Sequence, residues 1–195
     1  MTTGRRSLPP GLLLGLALFA VATPRDAQAQ GGAPGVCTAD QRQVVREAFE
    51  EAERRTRDAI DFLNTRPLDP HVRTWFGEGK RRVVHKRLRL ILVGLRLDTR
   101  PPMGCDATAT RCRTAFATAN RRTREINFCP AFFRSRTAGR DARFGVVVHE
   151  VSHLTAGTGD VAYGPNASRQ LARERPERAV ANADNYEYFV ELLPR

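Results

Sequence analysis

Lysine is almost missing from this chain: Lys80 and Lys86 stand alone against thirty arginines. A GC-rich genome, which favours arginine codons, produces that bias with no functional cause. Long apolar runs are also missing. The run from Leu12 to Ala22 falls short of the roughly 20 residues a helix needs to cross a bilayer, and no other stretch is as apolar, so no membrane span is expected. None of the four cysteines, Cys37, Cys105, Cys112 and Cys129, is spaced C-x-x-C, which leaves a thiolate zinc site little support. There are no internal repeats and no low-complexity linkers, so nothing suggests a repeat array.

What is present begins with an export signal. Arg5 and Arg6 form a positive start, Leu12 to Ala22 an apolar middle, and Ala27-Gln28-Ala29 a small-x-small cleavage site, the three parts of a signal peptide over residues 1–29. Residues 30–195, about 165 in number, have the size of one domain with a real core. Three arginines and one aspartate leave with the signal, so the formal charge falls from +11 to +9. That charge attracts anionic surfaces at long range; it specifies no nucleic-acid partner. All four cysteines lie in the exported portion, which implies two disulfides made in an oxidising, secreted or periplasmic setting. Three pairings are open, and a monomer is expected.

Val44, Val45, Ala48, Phe49, Ala52, Ala59, Ile60 and Leu63 recur at three- and four-residue steps. They predict an amphipathic helix from Ala39 to about Asn64, ended by Pro67 and Pro70. A second helix is predicted after Trp75-Phe76-Gly77, burying Val83, Val84, Leu88, Ile91, Leu92 and Leu95 against the first. His71 and His85 have no carboxylate or histidine at ligand spacing and read as surface. The segments Thr114 to Thr118 and Glu125 to Phe128 predict a β-hairpin turning near Asn120. Phe144 to Thr155 reads as a buried helix stopped by Gly157. A last helix is predicted from about Ala179 to Leu193, with Tyr186, Phe189, Val190 and Leu193 facing inward. The fold class is α+β, mainly helical, with a small sheet or hairpin.

His149-Glu150-Val151-Ser152-His153 is an H-E-x-x-H sequence. On a helix, positions i and i+4 share a face, so both imidazoles can reach one zinc ion. Glu150 is then placed to take a proton from the attacking water as general base. A hydrolytic zinc needs a third protein ligand. No histidine follows His153, and the only methionines are Met1 and Met103, which removes the metzincin arrangement. Two candidates remain: Glu174, with Glu177 behind it, in the manner of thermolysin, and Asp160 in Gly157-Thr158-Gly159-Asp160-Val161-Ala162-Tyr163-Gly164.

These two segments together resemble the aspzincin family, which comprises the deuterolysins and the peptidyl-Lys metalloendopeptidases and whose signature is H-E-x-x-H followed by G-T-x-D-x-x-Y-G. Every fixed position matches. Trp75-Phe76-Gly77, the order of the cysteines, Asn127-Phe128-Cys129-Pro130 and Asn182-Ala183-Asp184 extend the resemblance over most of the mature chain. It implies a compact zincin-like domain binding one zinc through His149, His153 and Asp160, with Tyr163 stabilising the reacting carbonyl oxygen. It also implies pairing of Cys37 with Cys105 and of Cys112 with Cys129. One departure is an interval from His153 to Asp160 that looks shorter than is usual in the family.

Asp184 and Glu187 lie three apart, on one face of the last predicted helix. In the lysine-specific branch of the family, carboxylates at these two positions bind a lysine after the scissile bond. The resemblance therefore implies a secreted endopeptidase acting on proteins or peptides before lysine. The shortage of lysine then has a second reading, as protection from self-cleavage. Two other readings stay open: a thermolysin-like peptidase using Glu174, and a basic, disulfide-bonded secreted binding protein that cleaves nothing.

Overall fold

The computed structural model describes residues 35–67 and 69–194; the expected export signal lies outside them. Helix α1, Ala39–Thr65, starts at a reciprocal cap: Gln41 N–H donates to Thr38 Oγ1 and Thr38 N–H to Gln41 Oε1, satisfying two otherwise orphaned donors. Its buried stripe runs from Val45 to Leu63. After the break foreseen at Pro67, a short helix α2, Pro70–Phe76, forms under an Asp69 cap. Helix α3, Arg81–Leu95, packs on α1 through Val84, Leu88, Ile91 and Leu95. Val83, expected in that stripe, is instead 42% exposed, and Leu92 is half-buried. At 100° per residue both lie off the centre of the Val84–Leu88–Ile91–Leu95 face.

His71 is corrected as well. It is half-buried on α2, its Nε2 3.0 Å from the Phe189 carbonyl and its ring 5.0 Å from that of Phe189. Burial lowers its pKa below the ordinary value. Phe189, more than a hundred residues away, and the edge-on rings of Phe62 and Trp75 enclose it. His85 is half-buried between α1 and α3.

The sheet has three strands in the order β1 (Met103–Gly104), β3 (Glu125–Phe128), β2 (Ala117–Asn120). Strands β2 and β3 form the expected hairpin, but its first strand begins at Ala117 rather than Thr114. The residues before it make a 3-10 turn, Thr110–Arg113, held by the Cys112–Cys129 bridge. Strand β1 adds in parallel to β3 and was not expected. The other bridge joins Cys37 to Cys105, so both pairings are those the resemblance implies. Strand β2 forms one edge of the sheet, beside helix α5.

After a short α4, Pro130–Arg134, helix α5 runs from Arg143 to Thr155 through the centre of the molecule, in contact with α1, α3, α8 and β2. Helix α6, Gly164–Glu174, and one turn α7, Pro176–Ala179, lead to α8, Ala183–Glu191. The last helix thus starts later than its pattern suggested, and it ends before Leu193. The cause is a hydrogen-bonding demand: Ala181 C=O accepts from Gly159 N–H and Ala183 N–H donates to Gly159 C=O. The backbone before α8 serves the loop that carries Asp160 and is not available for helix bonds. Tyr186, Phe189 and Val190 are fully buried, as expected.

Candidate metal centre and cleft

Helix α5 sets His149 and His153 one turn apart on a single face. Each Nε2 lies 3.1 Å from Asp160 Oδ1. Donor atoms around one tetrahedral ion, with bonds of roughly 2.0–2.1 Å, are about 3.3 Å apart, so this cluster has the spacing and the nitrogen and oxygen donors zinc requires. The short interval from His153 to Asp160 suffices because Gly157 adopts the left-handed φ of 65°. This conformation suits glycine and reverses the chain past the helix end.

Both imidazoles are also held from behind. His153 Nδ1–H donates to the Thr158 carbonyl at 3.0 Å. His149 Nδ1–H faces Asp184 Oδ1 at 2.9 Å and Glu187 Oε2 at 3.0 Å. Acceptors at Nδ1 fix the tautomer and leave the Nε2 lone pairs for a cation. Burial opposes charge on His149, yet its bonds to Asp160, Asp184 and Glu187 outweigh burial and raise its pKa well above the ordinary value. The two imidazoles hold the Asp160 carboxyl far below the usual carboxylate range. The environment as a whole stabilises positive charge at the point where the three donors meet.

Glu150 is 6% exposed and burial pushes its carboxyl up. It lines a cleft of 670 Å³ together with Thr118, Ala119, Tyr163, Asp184 and Glu187. Tyr163 stands at the mouth, 69% exposed, and partial desolvation together with the neighbouring Asp160 raises the phenol above its ordinary value. Glu187 is buried on the cleft floor, which raises its carboxyl. Glu174 is elsewhere: it is exposed near the end of α6, accepting from Gln170 Nε2 at 2.8 Å. Among the described residues it joins neither cluster of ligand-type side chains, which removes the thermolysin-like alternative.

A family model described as lysine-specific metallo-endopeptidase matches residues 64–191. The chain belongs to the aspzincin family. It is similar to a solved zinc peptidase from Grifola frondosa, with a TM-score of 0.71 at 30% identity, covering 80% of this chain and 96% of that one. It is 31% identical over 164 residues to the peptidyl-Lys metalloendopeptidase of Grifola frondosa (81% of this chain, 46% of that protein). It is 30% identical over 183 residues to an extracellular protease of Aeromonas hydrophila (92% and 52%). The chain therefore spans about half the length of these two relatives.

Three supports of this aspzincin site were not foreseen. Asn182 organises the Asp160 loop: its Oδ1 accepts from Val161 N–H and Ala162 N–H, and its Nδ2 donates to the Ala162 carbonyl and to Asn185. Thr158 is fully buried, shares a hydrogen bond with Ser152 and orients His153. Glu191, from the end of α8, accepts from Asp141 N–H and Ala142 N–H. It thereby satisfies the N–H of the N-cap residue Ala142 at the start of α5, the donor that the N3 side chain of a capping box would otherwise take. Asn182 stood within a motif of the resemblance without a role attached. Glu191 had one signal, Gly145: a Cβ there would lie 1.9 Å from Glu191 Oε1.

Proposed function

We propose that this aspzincin is a secreted zinc metalloendopeptidase, that residues 1–29 are its removable export signal, and that His149, His153 and Asp160 hold one zinc ion. The observation that carries the reading is the meeting of two histidine Nε2 atoms with one Asp160 oxygen at 3.1 Å, while each Nδ1 is turned to an acceptor. Zinc, when bound, supplies Lewis-acid chemistry that draws charge from the scissile carbonyl and acidifies the attacking water.

The remaining work falls to the chain. Glu150, buried beside the cluster, takes a proton from the water as it attacks and passes it to the leaving amine. Tyr163 donates its phenolic hydrogen to the negative charge that grows on the carbonyl oxygen. The edge strand β2 lines the same cleft with Thr118 and Ala119, so an extended substrate can add to it as a strand. Asp184 and Glu187 orient His149, and an ionised carboxylate offers about four acceptor sites, which leaves capacity for a lysine ammonium next to the scissile bond. Cleavage before lysine is the specificity these two acids support, in keeping with the peptidyl-Lys names of the fungal relative.

The test is digestion of denatured casein by the wild-type chain and by Glu150→Ala, with and without a chelator, with the cut sites mapped by mass spectrometry. The expected result is cuts before lysine that vanish in both controls. Cuts that survive Glu150→Ala would remove the general base, and cuts with another preference would remove the pocket role of Asp184 and Glu187. A folded, zinc-loaded protein that cuts nothing would remove the reading altogether.

A further inference from the structure

The outer face of α3 has no role in the cleft, and its composition is unusual. From Lys80 to Leu97 the chain holds seven lysine and arginine residues and no acid. Two of the cations serve the fold: Arg81 donates to the Leu63 carbonyl and Arg87 to the Val180 carbonyl. Arg82, Lys86, Arg89 and Arg96 are exposed and take part in no ion pair among the described residues. Interleaved with them are exposed aliphatic side chains: Val83 (42%), Leu90 (39%), Val93 (46%) and Leu97 (78%). Residues seven apart share a helix face, so Arg82 and Arg89 form one row and Val83 and Leu90 the row beside it. Arg96 and Leu97 follow at the helix end. Beside the arginine row, a groove of 230 Å³ between α1 and α3 is floored by Ile60, Leu92 and Val93 and rimmed by His85, Arg89 and Arg96.

We propose that this face docks the protein on an anionic phospholipid bilayer. Lys86 and the three arginines would meet lipid phosphates, and Val83, Leu90, Val93 and Leu97 would enter the boundary between headgroups and acyl chains. The pairing of the two rows selects this occupant. A nucleic acid would use the cations and leave the aliphatic row in water. A second copy docking through the same face would set like charges against each other. The orientation is also compatible with catalysis. On the inner side of α3, Gly94 lies against Val151 and Thr155 of α5, which are about 200° around that helix from His149 and His153. The cleft therefore opens away from the docked face.

The proposed mature chain, residues 30–195, is the protein to test, by co-sedimentation with vesicles. Binding is expected to phosphatidylcholine vesicles carrying phosphatidylglycerol, not to phosphatidylcholine alone, and to weaken as salt rises. The variant Arg82→Gln/Arg89→Gln/Arg96→Gln should bind on the order of a hundredfold more weakly, at about fivefold per cation. Leu90→Ser/Val93→Ser/Leu97→Ser should lose on the order of tenfold. The control Arg134→Gln/Arg136→Gln/Arg140→Gln, with the same change of net charge on another surface, should lose less than about threefold. All variants should keep wild-type circular dichroism and peptide cleavage in solution. Should a triple variant fail to fold, Arg96→Gln and Leu97→Ser, both past the helix end, carry the test singly. No binding to anionic vesicles, or equal losses in the control, would overturn the proposal. So would duplex DNA binding that needs the arginines, ignores the serine variant and comes without vesicle binding.

Discussion

Replacing Gly145 by alanine should destabilise the protein by about 1–2 kcal/mol, although alanine is the better helix former. The new methyl carbon would lie 1.9 Å from Glu191 Oε1, 2.4 Å from its Cδ and 2.7 Å from its Cγ, so the Glu191 side chain must leave its place. Asp141 N–H and Ala142 N–H, at the start of α5, then lose their acceptor. The Ala142 donor is buried and costs about 1–3 kcal/mol when left unpaired, whereas Asp141 is exposed and water can replace part of what its N–H loses. The gain from alanine over glycine offsets about 1 kcal/mol of this. Equilibrium urea unfolding measures the change, and a double-mutant cycle isolates its cause. With Glu191→Ala already present nothing obstructs the methyl, so Gly145→Ala in that background should be neutral or stabilising by up to about 1 kcal/mol. A single substitution within about 0.5 kcal/mol of wild type, or strictly additive effects in the cycle, would refute this account of how α5 is capped.

Other outcomes follow from the same contacts. Asp160→Ala should abolish stoichiometric zinc binding measured by atomic absorption, whereas Glu174→Ala should leave it unchanged. Asp184→Asn, which alters an acceptor behind His149, should weaken zinc binding about 10–100-fold in a competition assay with a chromophoric chelator. Asn182→Ala strips partners from Val161 N–H, Ala162 N–H and the Ala162 carbonyl and should cost about 2–4 kcal/mol in denaturant unfolding. Burial, with Glu187 nearby, pushes the Glu191 carboxyl up to about 9 from 4.5. The folded state then holds a proton the unfolded chain has released, so this contribution to stability is complete below pH 4.5 and is lost as pH rises through about 9. The slope is at most about 1.4 kcal/mol per pH unit. Melting temperatures between pH 6 and 8 should fall for wild type and stay flatter for Glu191→Gln.

Legibility in the sequence followed the range of the interactions. Helices α1 and α3 were readable because their apolar residues repeat at helical steps, with Pro67 after the first; α5 was less so, because Val146 to Val148 also suit a strand and only the later spacing, with Gly157 behind it, favours a helix. The ligand-type side chains of the cleft were readable because His149, Glu150, His153, Asp160 and Tyr163 lie within fifteen residues of one another. Helix α2 was missed because two prolines mask it, although Pro70 opens it under Asp69. His71 was misplaced because its partner, Phe189, is remote in the chain. The start of α8 was misjudged because nothing local marks residues 181–183 as the hydrogen-bond partners of Gly159.

The sequence by itself determined the family, the mainly helical α+β class and which side chains could hold a metal, since each depends on residue type at short spacing. Only the tertiary structure separates Asp160 from Glu174, by bringing one to the imidazoles and leaving the other in water. Only it gave Asp184 and Glu187 a place behind His149, Asn182 its hold on the loop and Glu191 its cap on α5. Those roles arise where α8 crosses α5, and a contact between helices some forty residues apart leaves no periodic trace in either one.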